Sequence, residues 1–230
     1  FGAVRLDGET VVELVERPSE GTYRLFNVGV YAIDPSFLPL LETARGDAGE
    51  LALTDGIAAA VQRFWDFETG ITDEVANPFG YPRQYVQAVD EAEPSDSFFF
   101  PHENETGYWW QGENARIASL ATAAARSRDL FDDRADRLDR FAQDQLDWIL
   151  GSNPFGVCMV HGVGAPEPTY HRSFRNVPGG IQNGITAGVE NEADVAYLPD
   201  GLGDDHAHRW RWAEQWIPHA AWAFLAVSSL

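Results

Sequence analysis

The chain has 230 residues, enough for one domain or one and a half, and long enough to hide roughly 70% of its unfolded surface without covalent staples. Its sixteen cations are all Arg and stand against 36 carboxylates, a net charge of −20 that repels phosphate backbones and anionic lipid heads, so nucleic acid and membrane surfaces are excluded as first partners. The single cysteine, Cys158, excludes an internal disulfide framework; no apolar run approaches ~18 residues, and Phe1 opens without a charged and apolar leader pattern, so neither a span nor a signal peptide is expected. Localisation stays open.

In chain order, Phe1–Leu6 and Val11–Glu16 flank Asp7-Gly8 and read as strand, turn, strand. Phe26–Ile33 is a third β-branched run, stopped by Asp34-Pro35, and a short helix is expected over Ser36–Glu42. Gly46–Glu50 reads as a loop. Thr54 or Asp55 then caps a helix predicted to run to Phe67, with Ile57, Val61, Phe64 and Trp65 on one stripe. The opening is therefore α/β. From about Gly70 the pattern changes to helices and long aromatic loops. Asn77–Tyr85 is turn chemistry, and Phe98–Trp110 is a loop of bulky aromatics and Glu/His groups. Gly112–Arg126 predicts a helix with Ile117, Leu120, Ala121 and Ala124 on one face. Phe131–Leu150 predicts another, with Leu138, Phe141, Trp148 and Ile149 inward and Gly151 closing it. Residues 151–210 are rich in Gly, Pro, Asn and Asp, and so long a stretch without regular structure is expected to build a site. A last helix is predicted over Ala213–Ser228, with Trp216, Ile217, Ala220, Phe224 and Leu225 packed and a kink at Pro218.

The tryptophans are unevenly placed: seven of the eight follow residue 100, and four lie between Trp210 and Trp222. Clustered indoles beside carboxylates suit a cleft for sugars, since pyranose rings stack on aromatic faces while acids serve the hydroxyls. Each Trp taken singly reads as core. Helices joined by long loops that gather at one end describe a helical barrel with a cleft at its mouth.

From about residue 65 onward the sequence resembles glycoside hydrolase family 9, the endoglucanase-like inverting enzymes built on an (α/α)6 barrel. Asp147–Phe155 (DWILGSNPF) is similar to the family's "ILG-NP" segment. His161–Arg172 (HGVGAPEPTYHR) is similar to its "GFG…P…HHR" loop. Trp210–Leu225 (WRWAEQWIPHAAWAFL) is similar to the closing helix that carries the catalytic acid, and Phe79–Tyr85 and Tyr108–Arg116 (YWWQGENAR) are similar to bacterial members. The resemblance implies Glu214 as general acid, beginning a helix among Trp210, Trp212 and Trp216. Indole rings around a carboxyl disfavour its ionised form, as a proton donor requires. A first-turn Glu favourably placed on a helix dipole is the plainer account of the same residue. The resemblance also implies His171 and Arg172 as hydrogen-bond donors to the sugar, with Tyr170, Trp109, Trp110, Trp210 and His219 as further substrate contacts. Tyr170 stands where the family has the first His of HHR, and His219 where it has a Tyr. Inverting hydrolysis also needs a second carboxylate ~6.5–9.5 Å across the cleft. The family draws it from a D-A-G-D motif, which is absent; Asp47–Glu50 (DAGE) lies in the other segment.

The first 60 residues resemble instead the C-terminal part of sugar-phosphate nucleotidylyltransferase catalytic domains. Val15–Pro18 (VERP) is similar to "VEKP", Phe26–Tyr31 (FNVGVY) to "NAGVY", and Gly49–Asp55 (GELALTD) to "GE-ELTD". That resemblance implies Glu16, Arg17, Asn27 and Gly29 around a sugar 1-phosphate and Asp55 at Mg²⁺. The family's Gly-rich nucleotide loop is missing, and alone Asp55 reads as a helix cap.

Other chemistry is weaker. His206-Ala207-His208 with Asp204 and Asp205 is a candidate for zinc but reads as a solvated loop. Glu190, Glu192 and Asp194 only loosely echo a calcium loop, and Cys158 reads as a small buried hydrophobe. No metal and no cofactor is expected. The sequence thus predicts a mainly α chain: the C-terminal half of an (α/α)6 barrel with long loops over residues 63–230, preceded by a short α/β segment over residues 1–62. Its expected partner is a β-linked glucan-type carbohydrate, hydrolysed with inversion, with little turnover by this chain alone. A second chain completing the barrel, a nucleotidylyltransferase remnant and a non-catalytic carbohydrate-binding protein remain alternatives.

Overall fold

A computed structural model describes residues 2–7, 10–16, 25–27, 35, 38–43, 53–106, 112–164 and 176–230. The chain divides into two compact units, Phe1–Gly56 and Ile57–Leu230.

In the first unit, β1 (Gly2–Asp7), β2 (Thr10–Glu16) and β3 (Leu25–Asn27) form an antiparallel sheet in the order β2-β1-β3. The alternating apolar residues around Asp7-Gly8 pair as the sequence predicts, from Gly2 opposite Glu16 to Asp7 opposite Thr10, with an irregularity between Arg5 and Leu6. The third strand is described only at Leu25–Asn27; the rest of the predicted run lies outside the described residues. The short helix α1 covers Leu38–Thr43.

The second unit is helical. α2 (Leu53–Asp73) starts before Asp55, which therefore sits in the first turn rather than at the cap, where its charge complements the helix dipole. The helix also runs six residues past the predicted end at Phe67. Its buried face is Trp65, Glu68, Thr69, Ile71 and Thr72, while Ile57 and Phe64 of the predicted stripe are exposed. Arg83 holds the exit from α2, its guanidinium donating to the Ile71 carbonyl at 2.7 Å and to the Asp96 carbonyl at 2.9 Å. The short hairpin β4 (Gln84–Val86) and β5 (Ser95–Ser97) follows.

α3 (Glu113–Ser127) is the central helix, packed on α4 (Ala135–Leu150) and α6 (Ile217–Ser229). Ala118, Ala121, Ala124 and Ala125 are all buried, and side chains this small let both neighbours approach closely. Phe131 does not begin α4. It takes an extended backbone (φ −142°, ψ 91°) and turns its ring into the core, and α4 starts four residues later, after a 3₁₀ turn at Arg128–Leu130. The predicted stripe Leu138, Phe141, Trp148 and Ile149 is buried throughout, and Gly151 closes α4 at φ 124°. Beyond it Asn153, 5% exposed, staples the turn: its amide donates to the carbonyls of Trp148 (2.8 Å) and Val157 (2.9 Å), and its oxygen accepts from the N–H groups of Phe155 and Val157.

The Gly- and Asn-rich stretch is ordered by backbone pairing rather than by regular elements. Met159 N–H donates to the Ile149 carbonyl (2.9 Å), Gln182 N–H to Met159 (3.1 Å), and Asn183 N–H to Glu214 (2.8 Å), so three chain segments run side by side. β6 (Thr186–Ala187) and β7 (Val195–Ala196) pair just beyond.

The predicted last helix is two. α5 covers His206–Ala213, and α6 follows after Glu214–Trp216 leave the helical region. A proline ring clashes with the carbonyl four residues before it, and for Pro218 that residue is Glu214. The chain therefore breaks rather than kinks, and Pro218 settles in the first turn of α6, where no N–H is needed. The rotation that results buries His219, Ala223 and Ala226 and exposes Ile217 (85%) and Phe224 (77%), which the helical stripe had placed inside. Among the described residues no helix is long and apolar enough to cross a membrane.

Leu138 is 1% exposed in the cluster that joins Trp65, Phe141 and Ala124. Leu138→Ala is expected to lower unfolding stability by about 2–5 kcal/mol, read as a reduced urea midpoint with unchanged slope.

Candidate active site

Glu214 sits at the joint between α5 and α6. It is the C-terminal cap of α5, in extended backbone (φ −69°, ψ 140°), so neither a helix-starting acid nor a first-turn Glu on the dipole describes it. Its half-buried carboxyl accepts a hydrogen bond from Trp216 Nε1–H at 2.7 Å. The Trp216 ring lies nearly parallel to the His219 imidazole, with ring centres 5.9 Å apart and 17° between the planes. The other two indoles expected around Glu214 are engaged elsewhere. Trp212 is fully buried in the core, and Trp210 Nε1–H donates to the Ala207 carbonyl at 2.9 Å while Arg211 covers its face.

His219, expected as a substrate contact, is 0% exposed: its ring packs nearly parallel to Trp216 and bonds Asn183 at 2.6 Å. Burial depresses its pKa to about 4, so the imidazole is neutral at ordinary pH.

The loop that carries His171 and Arg172 rejoins the described chain at Asn176, four residues after Arg172. There it is tied to both neighbours of Glu214. Asn176 Nδ2 donates to the Ala213 carbonyl at 3.0 Å, and Val177 N–H donates to Gln215 Oε1 at 2.8 Å. Gln215 Nε2 returns to the carbonyls of Val177 and Gly180, both at 3.1 Å, and His161 at the loop's other end pairs with Gly180 and Gly179. Trp109, Trp110, Tyr170, His171 and Arg172 themselves lie outside the described residues.

A second polar cluster was not singled out by the sequence reading. Glu113, at the start of α3 and 1% exposed, accepts from the Tyr81 hydroxyl and from Arg116 Nε (2.9 Å). The Arg116 guanidinium lies 5.1 Å over the Tyr81 ring. Burial raises the Tyr81 pKa, and the Glu113 charge adds to it. Burial opposes the Arg116 charge, but Tyr81 and Glu113 outweigh it and raise its pKa. Burial likewise pushes Glu68 up to about 7 against the pull of Arg116. The Glu-x-x-Arg spacing at the head of a predicted helix was the available signal for the Glu113–Arg116 pair. Tyr81 is also part of a cleft of about 460 Å³ whose walls include Phe79, Phe98, Phe99 and Trp148 and whose polar residues include Arg83 and Asp96.

Residues 56–189, more than half of the chain, match the family model described as glycosyl hydrolase family 9. The chain belongs to glycosyl hydrolase family 9. It is a glycoside hydrolase of the cellulase type, and carbohydrate is its substrate class. The match includes the Tyr81–Glu113–Arg116 cluster and the positions of Trp109, Trp110, Tyr170, His171 and Arg172, and ends before Trp210, Glu214 and His219. No curated protein matches the chain.

The glycosidase match starts at Gly56, inside the expected 1–62 segment and one residue after Asp55, and no comparison supports the nucleotidylyltransferase resemblance. Of its residues, Glu16 and Asn27 stand opposite Gly2 from its two sides in the sheet, so the register brings them to one level. Arg17 and Gly29 lie outside the described residues, and Asp55 is exposed in the first turn of α2. Among the described residues no group of three His, Cys, Asp or Glu is arranged for a metal. His208 accepts from Arg211, Glu192 accepts from the His102 N–H, and Asp194 accepts from the Val195 N–H. Cys158 is buried.

The folded pKa of His219, about 4, lies below its ordinary value of 6.5. The stability it contributes is therefore complete above pH 6.5 and is lost as pH falls toward 4. His219→Gln is expected to flatten this limb, so that urea midpoints measured between pH 7 and pH 4 fall less than in the parent chain.

Proposed function

We propose that this family 9 chain acts on a β-linked glucan-type chain by inverting hydrolysis, with Glu214 as the general acid. The reading is supported above all by Asn176 and Val177, four and five residues after Arg172, which bond the residues on either side of Glu214. Trp216 occupies Oε2, which leaves Oε1 to carry the proton to the glycosidic oxygen as the bond to the anomeric carbon breaks. His171, Arg172 and Tyr170 supply hydrogen bonds to sugar hydroxyls, and Trp109, Trp110 and Trp210 offer stacking faces. His219 supports the acid from behind.

Inversion also requires a carboxylate on the opposite face of the sugar to activate water, ~6.5–9.5 Å away. The family's D-A-G-D motif does not occur in the sequence given, and a second chain completing the barrel is one partner that would supply such a carboxylate. The chain alone is therefore expected to bind glucan with little turnover, which also makes a non-catalytic carbohydrate-binding protein the second reading. For residues 1–62 a nucleotidylyltransferase remnant is favoured only by the shared level of Glu16 and Asn27, and pyrophosphate release from a nucleoside triphosphate and a sugar 1-phosphate is expected to be absent.

Two measurements decide between these readings. Cello-oligosaccharides at millimolar concentration are expected to quench the tryptophan fluorescence of the chain, and an unchanged spectrum removes any glycan role. Reducing-sugar release from soluble β-glucan is expected to be low and to fall a further 10²-fold or more, roughly the weight of a general acid, in Glu214→Gln. Release that does not depend on Glu214 overturns the assignment, and quenching with no release at all favours the binding protein.

A further inference from the structure

We infer that Asn183 is the positioning residue for Glu214, aiming its carboxyl through His219 and Trp216; this rests on Glu214 as the acid. Asn183 is 1% exposed; its carbonyl accepts from the Asn114 N–H of α3 at 3.3 Å, and its N–H and both side-chain polar groups go to the α5–α6 joint. Its backbone N–H donates to the Glu214 carbonyl at 2.8 Å. Its side-chain Nδ2 donates to the Trp210 carbonyl at 2.8 Å, one turn earlier in α5. Its Oδ1 meets His219 Nε2 at 2.6 Å, at the head of α6. One buried amide thus ties the helix before Glu214, Glu214 itself and the helix after it.

The proton positions follow from this geometry. A carbonyl oxygen only accepts, so the Trp210 carbonyl identifies the amide nitrogen and leaves Oδ1 as the acceptor facing His219. His219, neutral by burial, must then carry its hydrogen on Nε2 and donate it. That bond sets the direction of Nε2–H, and the nearly parallel Trp216 ring packs against the imidazole. Trp216 presents Nε1–H to Glu214 Oε2 at 2.7 Å. Backbone and carboxyl of Glu214 are therefore both referred to Asn183, one directly and one through two rings. A carboxyl on a three-residue joint between helices would otherwise be free to rotate, and a donor misplaced by ~1 Å loses much of its effect.

Gly112 guards the same ring. A Cβ there would lie 2.7 Å from His219 Cε1, so any side chain at position 112 displaces the imidazole without removing a hydrogen-bonding group. This supplies a second way to disturb the clamp.

The test reads the Trp216 indole N–H in ¹H–¹⁵N spectra of the labelled chain, its peak identified by disappearance in Trp216→Phe. In the parent chain the peak is expected to be displaced from the free-indole position and slow to exchange, and to move in Glu214→Gln. Asn183→Ala is expected to return it to the free-indole position while the peaks of Trp65 and Trp148 stay, which reports an intact core. Gly112→Ala is expected to do the same, and carries the test alone should Asn183→Ala fail to fold. A Trp216 peak unmoved by Asn183→Ala in a folded chain, or unmoved by Gly112→Ala, overturns the proposal, as does a free-indole position in the parent. The outcome is separate from the acid assignment. Reducing-sugar release independent of Glu214 removes the acid and leaves the clamp; an unmoved Trp216 peak removes the clamp and leaves the acid.

Discussion

The carbonyl of Glu214 is where the architecture of this chain is decided. Pro218 cannot follow it in a continuous helix, because the pyrrolidine ring would occupy the space of that oxygen. The helix ends, the oxygen is left without an intrahelical donor, and the Asn183 N–H takes it. A buried carbonyl left unpaired costs on the order of 1–3 kcal/mol, so the break and the pairing require one another. From that bond follow the side-by-side run of residues 159, 182 and 214, the burial of His219, and a carboxyl standing on a joint instead of on a helix face.

The rest of the second unit serves to hold this joint. The alanine face of α3 admits α4 and α6 closely, and Asn114 on the same helix donates to the Gln182 carbonyl at 2.8 Å, steadying the segment that carries Asn183. Tyr197 donates to Gln182 Oε1 at 2.6 Å from the other side. The buried amides Gln182 and Asn183 find partners on other segments, and Asn153 pairs within its own turn, so the stretch is ordered with only two-residue strands. The Tyr81–Glu113–Arg116 cluster does the same at the head of α3, its ion pair and hydroxyl sharing one carboxylate.

Family membership and local geometry contribute different things. The family 9 match establishes a glycosidase and a carbohydrate substrate, but it ends before Glu214. What joins the matched region to Glu214 is the set of bonds from Asn176, Val177 and Asn183 to residues 210–219. Those bonds bring Asn176, Val177 and Asn183 against the joint that carries Glu214, although they lie some thirty to forty positions earlier in the chain.

Much of the local structure was legible in the residues. The β1–β2 pairing, α3, the buried stripe of α4 and the glycine that closes it follow from alternation, 3.6-residue periodicity and the tolerance of Gly for positive φ, all of which act between near neighbours in the chain. The motifs also marked a glycosidase. The sequence did not reveal that α2 buries Glu68 and Thr69 while exposing Ile57 and Phe64, or that Pro218 breaks the last helix and turns Ile217 and Phe224 outward. Nor did it show His219 as a buried neutral ring bonded to Asn183. Periodicity states that a helix has an apolar side, but which side meets the core depends on the neighbours it packs against. A histidine's role depends in the same way on burial and on a partner 36 positions away. These are long-range contacts, and they exist only once the segments have come together.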